Sequence, residues 1–134
     1  MANSVTTQIL IDGPRNLVIK LTGILDTSDV TATSVVTLAN LSAIDIAGST
    51  PTRLIVDKIT YDVDSNLAVY LAWDATTDVN FATLTSTGKI DACSFGGLTN
   101  TEASGATGAI MYSTQGWSGG AVQSFTVILE CRKR

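Results

Sequence analysis

The sequence predicts an all-β fold: a single-domain antiparallel β-sandwich, jelly-roll-like, of about 8–9 strands. Three observations predict it. Turn signals recur about every ten residues: DGPRN at 12–16, DTSD at 26–29, GSTP at 48–51, DVDSN at 62–66, DATTD at 74–78, STG at 86–88, FGG at 95–97 and GWSGG at 116–120. The runs between them are short, apolar and rich in Val, Ile and Thr, residues that pack well on a pleated surface. Several runs alternate with a period of two.

In chain order the expected strands are 4–11, 16–25, 33–39, 53–62, 67–73, 78–84, 89–94, 107–114 and 121–132. In 53–63, Ile55, Ile59, Tyr61 and Val63 share one face, which Asp57 interrupts; Leu54, Val56, Lys58 and Thr60 take the other. In 67–73, Leu67, Val69, Leu71 and Trp73 face one way. In the last strand Gln123, Phe125, Val127, Leu129 and Cys131 form the expected core face. The segment 34–48 reads as a strand and then a turn ending near Gly48. The stretch 96–109, small and polar, reads as a long surface loop, of the kind that carries function or contacts a partner.

With 134 residues the chain fits one domain, 1–134, able to bury a sizeable core without a metal or disulfide staple. Charged residues are only 15%, so much of the surface is uncharged Ser, Thr, Asn and Gly, which suits packing against other subunits. A net charge of −4 argues against nucleic-acid binding, which needs clustered Lys and Arg. No apolar run approaches a membrane span, and the amino terminus carries no secretory signal pattern. Asn40-Leu41-Ser42 fits a glycosylation sequon, which means little without secretion. Cys93 and Cys131 read as reduced core residues.

The candidate sites divide by chemistry. Asp62, Asp64 and Asn66 share the opening spacing of a calcium loop, but Leu67 and Trp73 stand where an EF-hand needs Gly and Glu. A non-helical calcium site is the alternative to a plain hairpin turn fixed by local Asp, Ser and Asn hydrogen bonds. Asp74 and Asp78 read as a second turn; a hydrolase using Asp62, Asp64 or Asp74 requires those carboxylates to converge in one pocket. There is no histidine, so histidine-dependent triads and zinc sites are impossible. No phosphate loop is present, no lysine has a visible activating partner, and no cofactor is expected. Trp117 can stack on a sugar or pack against a neighbour. Arg132, Lys133 and Arg134 form the one basic run, which can meet an acidic partner.

Three segments, DGPRNLVIKLTGILDTSD, RLIVDKITYDVDSNLAVYLAWDATTDV and TGAIMYSTQGWSGGAVQSFTVILECRKR, resemble in style and order the small virion structural proteins of tailed bacteriophages, nearest to capsid decoration (cement) proteins. The resemblance implies a compact β-domain that binds the outside of a shell of major capsid protein as a homo-oligomer, trimer or dimer, and stabilises it. It implies a non-enzymatic protein of the virion surface, made in the bacterial cytoplasm. It transfers no residue role. Multivalent attachment to a lattice makes modest single-site affinity durable. Short arms at 1–8 and 132–134 are the expected reach elements, the first by adding a strand to a neighbour's sheet. The rival expectation is a carbohydrate- or receptor-binding module using Trp117 and the 96–109 loop.

Overall fold

The computed structural model describes residues 3–36, 38, 41–99, 109–119 and 122–133. Among these, nine strands form: β1 Ser4–Asp12, β2 Asn16–Leu25, β3 Thr33–Val36, β4 Leu54–Val63, β5 Ala68–Trp73, β6 Val79–Leu84, β7 Thr87–Asp91, β8 Ile110–Gln115 and β9 Gln123–Lys133. They build a five-stranded sheet ordered β1-β2-β9-β4-β7 and a four-stranded sheet ordered β3-β8-β5-β6. Every pairing is antiparallel.

The topology is that of one long hairpin rolled up. β2 pairs with β9, β3 with β8, β4 with β7 and β5 with β6, from the outside of the hairpin to its tip. Rolling then adds the β4–β9 and β5–β8 pairings that close each sheet. This is the jelly roll, two sheets whose inner faces enclose one core. The core face expected for the last strand and the apolar face expected for 67–73 are the buried ones, and β2 adds its own. Leu17, Ile19, Leu21 and Leu25 of β2, Val69, Leu71 and Trp73 of β5, and Phe125, Val127, Leu129 and Cys131 of β9 are all buried in it. Each such side chain contributes about 1.5–3 kcal/mol by leaving water.

The alternation of β4 breaks at Asp57 because a β-bulge sits there. Val56 opposes Cys131 and Lys58 opposes Glu130, which leaves Asp57 as the extra residue. The bulge changes the phase of the strand. Leu54 and Val56 are buried before it, Ile59 and Val63 after it, and Lys58 and Thr60 stay outside. The expected grouping of Leu54 and Val56 with Lys58 and Thr60 is thereby corrected.

Other departures are local. The strand expected at 89–94 ends at Asp91, and Cys93–Phe95 is a 3-10 turn closed by Gly96 in the left-handed region. Residues 132 and 133, expected as an arm, are the end of β9. Likewise Ser4–Gln8 already lies in β1, paired with β2, and only residues 1–2 of the expected arm fall outside the described residues. The start of the expected 107–114 strand, the Asn40 of the sequon and the middle of the 96–109 loop also lie outside them.

Gly23 of β2 shows why one inward position carries no side chain. It opposes Phe125, and a Cβ there would come within 2.5 Å of the Phe125 ring. The ring occupies the space that the glycine leaves, a cross-strand glycine–aromatic pair.

Candidate functional site

Strand direction sorts the loops onto two ends of the sandwich. The carboxyl end holds residues 13–15, the 41–53 segment, the 74–78 turn, the 92–99 segment and the end of β9. The amino end holds Asn3, the 26–32, 64–67 and 85–86 connections, residues 116–119 and Val122.

Lys133 defines the carboxyl end. It lies on the inward face of β9, and its side chain is wholly covered. Its ammonium donates to the Asp12 carboxylate and to the Ser42 carbonyl, the latter at 3.1 Å. The second Asp12 oxygen accepts from the Ser42 amide at 3.0 Å and the Ser42 hydroxyl at 3.1 Å. Partial desolvation would raise the Asp12 pKa, but the hydrogen bonds from Lys133 and Ser42 together outweigh it and hold the carboxyl below its ordinary value of 3.8. The cluster ties β1, β9 and the connection after β3. Lys133 is therefore a buried clip and not a tail charge offered to a partner. Arg134 lies outside the described residues.

Arg132 faces the other way and is part-exposed. Its Nε donates to Asp57 at 2.7 Å, and its Nη2 to the Gly96 carbonyl at 2.8 Å. The bulge at Asp57 is what brings that carboxylate to the arginine. Its carbonyl accepts from the Ala92 amide at 2.8 Å, and Leu98 pairs with Val56 through two backbone bonds of 2.8 and 2.9 Å. Gly97, at φ +93°, fits beneath; a Cβ there would reach within 2.4 Å of the Ile55 Cγ2. A shallow cavity of about 350 Å³ opens beside this arrangement, lined by Ile11, Val18, Lys58, Cys93 and Glu130 among others.

Cys93 is exposed, which corrects its expected place in the core; Cys131 is buried as expected. Partial desolvation, and then the hydrogen bond with Asp91, push the Cys93 thiol up. Burial pushes Cys131 up to about 12. Both are thiols at neutral pH, and neither is an activated nucleophile.

The aspartates of 62–78 do not converge. Asp62 accepts from the Thr87 hydroxyl at 2.9 Å, and Asp64 accepts from the Asn66 amide at 3.2 Å, both at the amino end. Asp78 accepts from the Ala75 amide at 3.2 Å at the carboxyl end, where Asp74 also lies. A single hydrolytic pocket using Asp62, Asp64 and Asp74 is ruled out by that separation. The Asp64 carboxylate, with Asn66, makes the expected turn, but β4 and β5 lie in different sheets, so the turn crosses between the sheets and the expected hairpin is corrected. Among the described residues there is no cluster of three or more His, Cys, Asp or Glu able to hold a metal ion.

Trp117 is half-buried against the core, and its amide donates to Asp29 at 3.0 Å. The same Asp29 oxygen accepts from Thr114 at 3.2 Å, and Thr114 accepts from the Val30 amide at 2.7 Å. Trp117 thus sits at the amino end, whereas both anchors of the 96–109 loop lie at the carboxyl end.

The exposed apolar residues were harder to read in advance. Phe95 and Ile46 project from loops at the carboxyl end, at 66% and 108% exposure. Ile9, Leu10 and Ile11 are exposed along β1. The available signal is a large apolar side chain just before a turn glycine, Ile46 ahead of Gly48 and Phe95 ahead of Gly96. No described helix is long and apolar enough to cross a membrane. No protein-family model, curated protein or solved structure matches the chain.

Proposed function

We propose that the chain is a non-enzymatic virion structural protein that binds the outside of a tailed-phage capsid and stabilises it. The rolled β2–β9 hairpin carries the reading, because jelly rolls are a recurrent architecture of viral capsid domains. It accords with the segment resemblance and the sparsely charged chain. The partner is the major capsid protein, and the contact is assigned to the carboxyl end, where Ile46 and Phe95 offer apolar anchors, Phe95 preceding the Gly96 whose carbonyl Arg132 holds. Buried apolar anchors of this kind each carry about 1–2 kcal/mol or more in an interface. Many weak copies on a lattice then hold firmly.

The test mixes purified protein with capsid shells that lack it and measures co-sedimentation, then release of DNA on heating. Saturable binding and a raised release temperature are expected, with affinity falling at least about tenfold in an Ile46→Asp/Phe95→Asp variant. No binding at micromolar protein would sink the proposal. Specific glycan binding that is lost in Trp117→Ala would replace it with the carbohydrate-binding reading.

A further inference from the structure

We infer that β1 pairs with β1 of a second copy of this chain, antiparallel about a two-fold axis at Thr7, joining two five-stranded sheets into one. The inference goes beyond capsid binding and does not rest on it.

An edge strand presents unpaired amides and carbonyls, and stable proteins blunt it with charge, shortness, bulges or cover. The other three edges of this sandwich are blunted. β3 is only four residues long. β7 has five residues and carries Lys89 and Asp91. β6 is interrupted by a bulge at Phe81, which stacks on Trp73 with ring centroids 4.3 Å apart. β1 differs: from Ser4 to Ile9 it holds an unbroken register on β2 without a charged side chain, and its bulge comes only at Leu10.

β1 also overhangs. The larger sheet has one strand more than the smaller, and that strand is β1. The register places Val5, Thr7 and Ile9 on the same face as Gly23, Leu21 and Ile19, the core face. Yet Ile9 is 43% exposed while its partner Ile19 is 0% exposed. An isoleucine aimed at the core side but left in water marks an unfinished layer.

The second copy is favoured because the strand mirrors itself. With Thr7 facing Thr7 across the axis, Val5 faces Ile9 of the other copy on the core side, twice. Thr6 faces Gln8 on the outer side, and Ser4 faces Leu10. Thr–Thr and apolar β-branched pairs are favourable cross-strand neighbours. No charge faces another, which matters for two chains that each carry −4. A foreign strand would demand no such palindrome. The contact is a strand ladder with two small apolar clusters, at the low end of interface size, so dissociation on the order of micromolar is expected.

Light scattering after size exclusion, loaded at about 100 μM, should give twice 14.0 kDa for the wild type. Thr7→Lys, which sets like charges face to face, should return the mass to that of one chain with unchanged circular dichroism. In a Cys93→Ser background, Thr7→Cys should form a disulfide-linked dimer under mild oxidation. Directly opposed Cα atoms stand about 4.5–5.5 Å apart, within disulfide reach. Ser4→Cys, opposite Leu10, should not cross-link. A monomeric wild type at that load overturns the inference, whichever partner β1 then takes. So does a dimer that survives Thr7→Lys, or Ser4→Cys cross-linking as fast as Thr7→Cys.

Discussion

Removing Asp12 and removing Lys133 should cost very different amounts, although the two form one ion pair. The Lys133 ammonium is fully covered, and its protein partners are the Asp12 carboxylate and the Ser42 carbonyl. In Asp12→Ala the ammonium stays in the interior without a counter-charge, and the Ser42 amide and hydroxyl lose their acceptor. Breaking a buried pair in this way costs about 3–5 kcal/mol. In Lys133→Met an apolar chain of similar length fills the same space. Asp12 keeps both Ser42 donors and remains 22% exposed, so water can reach it. That change should cost under about 1.5 kcal/mol. For a domain of this size the contrast amounts to roughly 5–15 °C in melting temperature. Urea titration followed by tryptophan emission measures it. The double variant Asp12→Ala/Lys133→Met should be more stable than Asp12→Ala alone. pH adds a second readout. The Asp12 pKa is lower folded than unfolded, so its contribution is present above the unfolded value near 3.8 and is lost as pH falls through the folded one. Acid destabilisation in that window should shrink in Asp12→Asn. Equal losses for Asp12→Ala and Lys133→Met, with no rescue in the double variant, would refute the buried-clip account.

Two further outcomes follow from packing and burial. Gly23→Ala should destabilise by about 1–3 kcal/mol in urea titration, since its Cβ would sit 2.5 Å from the Phe125 ring; a neutral result would mean that the ring is free to move aside. Cys93 should react with a thiol reagent in the native protein slowly at pH 7 and faster as pH rises past 9, whereas Cys131 should react only on unfolding; prompt native labelling of two thiols would contradict the burial of Cys131.

The strands were legible where alternation and turn chemistry agreed. β2 runs from Asn16 to Leu25 as the pattern requires, and Asp64 closes its turn with Asn66. Asp57 showed in the sequence as a flaw in the alternation, but a bulge is a property of the β4–β9 pairing and cannot be read from β4 alone. By charge and position alone, Lys133 reads as part of a basic tail offered to an acidic partner. Its burial depends on Asp12, 121 positions away, and on Ser42. Trp117 was legible as a loop residue, but not as one placed at the end opposite the 96–109 anchors, because that depends on how the hairpin rolls. Long-range pairing decides these cases, and local pattern does not reach it.

The place of β9 in the middle of the larger sheet has a consequence for synthesis. It lies between β2 and β4, strands made long before it. Until it leaves the ribosome, β2 and β4 expose facing ladder edges with nothing to bridge them. A nascent chain therefore waits with its largest apolar surfaces uncovered, and closure demands contacts distant in sequence, which form slowly. During that wait chaperone capture competes with mispairing between neighbouring nascent chains.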